Sequence, residues 1–100
     1  MSNGGVTFVN RFTVKGDPEE FERAFAQVAK FMADQPGIKG YTLSRHTEDP
    51  QQYVNIALWE DAKALRAAVS HPEFGSHVGA LRQLAVSTSD LYQDRHRVQG

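Results

Sequence analysis

The order in which two repeating patterns follow each other limits the possible folds of this chain most. Residues 6–15 alternate with a period of two, which is typical of a strand buried on one face. That face carries Val6, Phe8, Asn10, Phe12 and Val14. Asp17 and Pro18 then give a helix start, apolar residues recur at helical spacing as far as Met32, and Gln35-Pro36-Gly37 stops the helix. The chain therefore opens with a strand and an amphipathic helix.

The remaining patterns complete a known motif. Strands are predicted at Ile38–Arg45 and Tyr53–Trp59, joined by a polar turn. Two helical segments, 62–70 and 73–84, are split at His71-Pro72, and a weaker final strand is predicted in two pieces, 86–88 and 91–98. The order β-α-β-β-α-β predicts an α+β, ferredoxin-like fold with an antiparallel sheet and helices on one face. Residues 6–100 are expected to form one domain after a disordered tail, 1–5.

Composition excludes several classes of function. The 100 residues carry a formal charge of -1 and no cysteine. A nearly neutral chain lacks the basic surface of a nucleic-acid or anionic-membrane binder, and without cysteine there is no disulfide, thiolate nucleophile or Cys-based metal site. No signal peptide or long apolar run is visible, so we expect a cytoplasmic protein. His71 and His77 are six residues apart and would fall on different faces of one helix, so we expect no metal site. The sequence contains no GxGxxG loop, so we expect no nucleotide or flavin cofactor.

The third predicted strand is apolar on both faces. Val54, Ile56 and Leu58 alternate with a second series, Tyr53, Asn55, Ala57 and Trp59. One layer of helices covers only one face of a sheet, so a second copy packed on the other face is the economical solution, and we expect a homodimer. The alternative is a monomer whose sheet leaves some apolar surface exposed.

Two asparagines stand on apolar strand faces. Asn10 lies between Phe8 and Phe12, and Asn55 lies four residues before Trp59. An amide buried without partners costs about 1–3 kcal/mol, so such positions are candidates for a site. Because the first and third strands of this fold are neighbours, both amides, the indole and the phenol of Tyr53 are predicted to surround an apolar pocket for a flat aromatic ligand. The structural alternative is that the amides bond each other or nearby backbone.

Two residues of the last helix lie near its apolar stripe. Arg82 follows Val78 by one turn, and its guanidinium could reach the pocket mouth or simply extend into solvent. His77 lies three residues after Phe74 and could act as a base, as an axial ligand or only as a half-buried residue.

Four segments of the chain resemble a known family. They are VTFVNRFTV, FMADQPGIKGYTLSR, YVNIALWED and HPEFGSHVGALRQL. These segments are similar to the antibiotic biosynthesis monooxygenases, and more closely to the cofactor-independent anthrone oxygenases of aromatic polyketide pathways. The resemblance implies a dimeric α/β barrel, and an active site made of Asn10, Asn55, Trp59 and Arg82.

The resemblance also implies the chemistry. An anthrone and O2 are the expected substrates, a quinone is the expected product, and no cofactor is required. Asn10, Asn55 and Trp59 are the predicted catalytic residues. The predicted substrate-binding residues are Arg82, Tyr53, Phe8, Phe12 and His77. Some relatives have a tyrosine where this chain has Leu65, and a histidine near the end of the second strand where it has Arg45. The phenol and imidazole of those relatives have no counterpart at these positions.

Two alternative functions stay open at this stage. Haem-degrading members of the same fold resemble the chain at Asn10 and His77, but they carry a helical Trp where this chain has Ala68. The other alternative is a non-catalytic dimer that binds a small molecule.

Overall fold

The fold is a four-stranded antiparallel sheet with three helices. The computed structural model describes residues 4–98, so residues 1–3 of the predicted tail lie outside the described residues. The elements are β1 (Val6–Val14), α1 (Pro18–Ala33), β2 (Ile38–Arg45), β3 (Gln52–Trp59), α2 (Ala62–Val69), α3 (Pro72–Leu84) and β4 (Ala85–Gln93). The sheet order β2-β3-β1-β4 confirms the predicted ferredoxin-like topology.

Short polar side chains start the helices. The Asp17 carboxylate accepts from the Glu19 amide at 3.0 Å, and Asp61 does the same for the Ala64 amide at 2.8 Å. At α3 the cap is an imidazole, because His71 Nδ1 accepts from the Glu73 amide at 3.1 Å. These contacts fix where each helix leaves the sheet.

Gly37 ends the connection from α1 to β2. Its φ of 91° lies in the left-handed region, and an added Cβ would stand only 2.5 Å from the Ala64 Cβ of α2. Its carbonyl accepts from the Glu60 amide at 2.7 Å. A glycine is therefore required here both for the backbone conformation and for the approach of α2.

The last strand differs from its prediction. β4 is one continuous strand, Ala85–Gln93, rather than two pieces reaching Val98. It pairs with β1 along its whole length, from Val14 opposite Ala85 to Val6 opposite Gln93. The side chains of this edge strand after Ala85 are exposed, so its polar residues stay in contact with water. Their low strand propensity is therefore outweighed by the backbone hydrogen bonds to β1.

The core between sheet and helices has two parts. One is an aromatic cluster around Phe12, Phe21 and Phe25, and the other surrounds Trp59 together with Leu65 and Ala68. Met32 of α1 packs against both clusters. The candidate site lies between them, so its walls come from well-packed parts of the domain.

The opposite face of the sheet has no helical cover. Ile56 of β3 is 41% exposed, and Val86 and Tyr92 of β4 are 58% and 51% exposed. The apolar face predicted for β3 is thus open in the single chain. Among residues 4–98, none of the helices has the length and apolar character needed to cross a membrane.

Candidate active site

The strand register brings the two asparagines together. Asn10 of β1 is the direct cross-strand partner of Asn55 of β3. Side chains on neighbouring strands at such a position have Cβ atoms about 5 Å apart and point to the same face. Trp59 lies four residues beyond Asn55, so it shares that face, which is covered by the helices.

Above the two amides lies a narrow cavity, here called the inner compartment. Its volume is about 80 Å³. Its polar wall is formed by Asn10, Asn55 and Trp59, with Tyr41 on the β2 side. The rest of the lining is apolar and comes from the sheet and all three helices: Phe8, Phe12, Phe25, Val28, Ala29, Met32, Ile38, Ala57, Val69, Phe74, Val78 and Leu81. Such a lining suits a flat apolar ligand that carries a few polar groups.

A wider cavity, the outer compartment, adjoins the inner one. Its volume is about 330 Å³, and it extends between β4 and the helices α2 and α3. The two compartments share lining residues of β1, including Phe8, Asn10 and Phe12. Asn10 therefore lies at the junction, while Asn55 and Trp59 line only the inner compartment. The polar residues that the outer compartment adds are Arg66, Arg82, Ser87 and Ser89.

Three buried polar atoms of the site have no hydrogen-bond partner among the described residues. They are Oδ1 of Asn10, Oδ1 of Asn55 and Nε1 of Trp59. Neither amide oxygen accepts a hydrogen bond from the other amide or from nearby backbone, which was the structural alternative. A buried polar atom left unpaired costs about 1–3 kcal/mol, and such atoms concentrate where a ligand supplies the missing partner. Two acceptors and one donor are therefore available to a bound molecule at one place.

Tyr53 lies outside this cavity, although the sequence placed its phenol there. Its ring packs against Phe21 at 4.8 Å between ring centroids, and its hydroxyl donates to Glu22 Oε2 at 2.5 Å. Burial, together with the hydrogen bond to Glu22, raises the pKa of Tyr53. The phenol that does line the inner compartment is that of Tyr41 on β2.

His77 also lies outside both compartments. Its ring packs against Phe31 of α1, with 6.0 Å between ring centroids. Phe74 and Val78, on the neighbouring face of α3, line the cavity instead. The spacing from Phe74 predicted that His77 lies near the apolar stripe of α3. The structure puts its ring on the side of that stripe that faces α1, away from the cavity.

Several lining residues were not singled out by sequence. Tyr41 shares its strand face with Leu43, whose cross-strand partner is Asn55, so the period of two in β2 contained a signal for Tyr41. Arg66 follows Leu65, and nothing in the sequence distinguishes it from an ordinary exposed helix residue. Within residues 4–98, no three His, Cys, Asp or Glu side chains are grouped so as to hold a metal ion.

Comparison with known proteins identifies the family. The model of the antibiotic biosynthesis monooxygenase family matches residues 5–80. The chain belongs to this family. The predicted resemblance is thereby confirmed, and the monooxygenase fold accounts for the sheet and helices described above.

Individual relatives of this chain are informative. The chain is 50% identical to deoxynogalonate monooxygenase of Streptomyces nogalater over 90% of its own length and 76% of the relative's. It also matches the crystal structure of SnoaB, a cofactor-independent oxygenase from Streptomyces nogalater, with a TM-score of 0.92 and 46% identity, covering 97% and 99% of the two chains. A mycobilin-producing heme oxygenase of Mycobacterium tuberculosis is 30% identical over 64% of this chain and 61% of its own.

Proposed function

We propose that this protein is a cofactor-independent monooxygenase that oxidises an anthrone-type aromatic polyketide to a quinone with O2. The observation that carries the proposal is the group of unpaired buried atoms on Asn10, Asn55 and Trp59, at the narrow end of an apolar cavity. The likeness of the chain to a cofactor-independent oxygenase of the same family supports the reaction type.

The substrate supplies the electrons for the reaction. An anthrone loses one proton from its ring CH2 group and becomes a carbanion stabilised as an enolate. The carbanion passes one electron to O2, and the two radicals combine into a peroxide at the same carbon. The O–O bond then breaks, a second proton leaves that carbon, and one water is released. The CH2 group and one O2 have become one C=O group and one H2O.

The protein's contribution is to hold the enolate and exclude water. The Trp59 indole N–H and the carboxamide N–H groups of Asn55 are donors for the developing negative oxygen, and the Asn55 carbonyl accepts from a substrate hydroxyl. Asn10, at the junction of the compartments, orients the anion as it forms. Phe8 and Phe12 flank the ring system, and Arg82 binds its far end in the outer compartment.

The haem alternative has little support from the geometry. His77, the residue that resembles the iron ligand, packs against Phe31 and lines neither compartment. Ala68, at the position of the helical Trp, is 1% exposed and packs in the cluster around Trp59, so an indole does not fit there. The oxygenase reading is therefore the one we adopt.

The quaternary state belongs to the same proposal. A homodimer packed through the uncovered sheet face would bury Ile56 and its neighbours on β3. We expect light scattering at micromolar concentration to give the mass of two chains, and Ile56→Lys to give the mass of one. A monomeric mass for the unmodified protein would rule the dimer out.

Turnover is tested with a hydroxylated anthrone under air, after exhaustive dialysis against a chelator. We expect quinone formation with one O2 consumed per quinone, unchanged by dialysis. Asn55→Ala and Trp59→Phe should lower kcat by about 10²-fold or more, the effect of losing one stabilising donor. Turnover that disappears on dialysis and returns with metal or flavin would refute the mechanism, and binding without turnover would indicate a non-catalytic module.

A further inference from the structure

The outer compartment carries an excess of positive charge. Arg66 reaches it from α2 and Arg82 from α3, and none of the residues lining the two compartments is acidic. Within residues 4–98, neither guanidinium pairs with a carboxylate. Two like charges are thus placed at one opening, in a chain whose formal net charge is -1. Charge of one sign at the mouth of a low-dielectric cleft attracts ligands of the opposite sign.

The polar groups of this compartment suit one kind of ligand. Ser87 and Ser89 lie on β4 across the compartment from the two helices, and each hydroxyl can donate to an anionic oxygen. Guanidinium groups bind carboxylates in a planar, two-pronged geometry. By contrast, the polar side chains of the inner compartment all come from the sheet, and none of them is charged.

We propose that Arg66 is a specificity-determining residue, which selects substrates bearing a carboxylate at the end remote from Asn55. This inference rests on the proposed function. The ring that is oxidised lies in the inner compartment, and the carboxylate extends past Asn10 to Arg66 and Arg82. Arg66 takes no part in the chemical step, so its contribution appears in substrate binding.

The test compares two substrates of nearly the same shape. One is a hydroxylated anthrone carrying a carboxylate, and the other carries a carboxamide at the same position. Arg66→Gln should raise the KM of the carboxylate about tenfold, the effect of one lost charge-assisted hydrogen bond, and leave kcat within about twofold. The KM of the carboxamide should change less than about twofold, and added salt should weaken carboxylate binding to the unmodified enzyme.

Lys63→Gln is the matched control. Lys63 is on the same helix and carries the same charge, but it lies on a different groove, beside Ala64 and Ala67. This variant should leave both KM values unchanged. An equal effect of Arg66→Gln on both substrates, or the same effect from Lys63→Gln, would overturn the proposal.

A binding measurement separates this proposal from the proposed function. Trp59 is the single tryptophan of the chain and lines the inner compartment, so quenching of its fluorescence reports binding there. Anthraquinones carrying a carboxylate or a carboxamide serve as probes that need no turnover. If the carboxylate binds more tightly and Arg66→Gln removes the difference, the selectivity stands even when anthrones are not oxidised. If anthrones are oxidised but this difference is absent, the proposal for Arg66 fails alone.

Discussion

Replacing Asn55 by leucine should make the protein more stable while removing its activity. Leucine has the same number and branching of side-chain heavy atoms as asparagine, and the cavity of about 80 Å³ beside it has room for the extra bulk of its two methyl groups. The folded protein now leaves the Asn55 carbonyl buried without a partner among the described residues. Substitution by an apolar group relieves that cost.

The magnitude follows from the cost of one unpaired buried acceptor, about 1–3 kcal/mol. Some of this gain is lost to imperfect packing, so we expect about 1–2 kcal/mol of added free energy of unfolding. For a domain of this size, that corresponds to a rise in Tm of about 5–10 °C. Asn55→Ala also removes the carbonyl but enlarges the cavity by roughly 25 Å³, which costs about 0.6 kcal/mol, so that variant should gain less stability than Asn55→Leu.

The assay is equilibrium unfolding in urea at one fixed protein concentration, because the stability of the proposed dimer would depend on concentration. Gln83→Leu, at an exposed position of α3, is the control and should stay within about 0.5 kcal/mol of the unmodified protein. Anthrone oxidation is measured in parallel. If Asn55→Leu is less stable than the unmodified protein with an unchanged m-value, then the carbonyl is satisfied in solution and our reading of the site is refuted.

Three further predictions concern the frame of the site. The raised pKa of Tyr53 favours its neutral form in the folded protein, so the free energy of unfolding should fall as pH rises above about 10. In Tyr53→Phe, urea unfolding between about pH 9 and 11 should not show this fall. The Thr7 hydroxyl donates to Asp94 Oδ1 at 2.6 Å and helps to lower the pKa of Asp94. The ionised Asp94 therefore stabilises the fold above about pH 4, and this contribution is lost as the pH falls further. Asp94→Asn should make the free energy of unfolding depend less on pH between about pH 5 and 3. Gly37→Ala should destabilise by more than about 1 kcal/mol, because its Cβ would meet Ala64, and an unchanged Tm would contradict this.

The sequence predicted the sheet wall of the site well. Alternation with a period of two is a local property, and it determines which residues of a strand share a face. It therefore placed Asn10, Asn55 and Trp59 on the helix-covered face without any knowledge of tertiary contacts. Their pairing then followed from the topology, because β1 and β3 are neighbours in this fold.

The rest depends on how the helices cover that face. Tyr53 and Asn55 share a strand face, yet Phe21 covers one and the cavity lies over the other, because of where α1 crosses the sheet. Likewise, His77 meets Phe31 only because α3 packs beside α1. Such contacts are set by packing between distant segments, which periodicity does not record. The polar edge strand β4 was misjudged for the same reason, since its pairing with β1 is a tertiary contact.

The turn between β2 and β3 carries a consequence for the site, although it lies at the end of the sheet. Its geometry is fixed locally, since His46 Nδ1 accepts from the amides of Glu48 and Asp49 at 3.0 and 3.1 Å. A strand displaced by one residue exchanges its two faces. An insertion here that shifted β3 by one residue would then turn Ile56 towards the helices and Asn55 towards the opposite side. The length of this loop therefore matters to the site as much as its side chains do, and a hairpin variant can lose the site with Asn10, Asn55 and Trp59 all present.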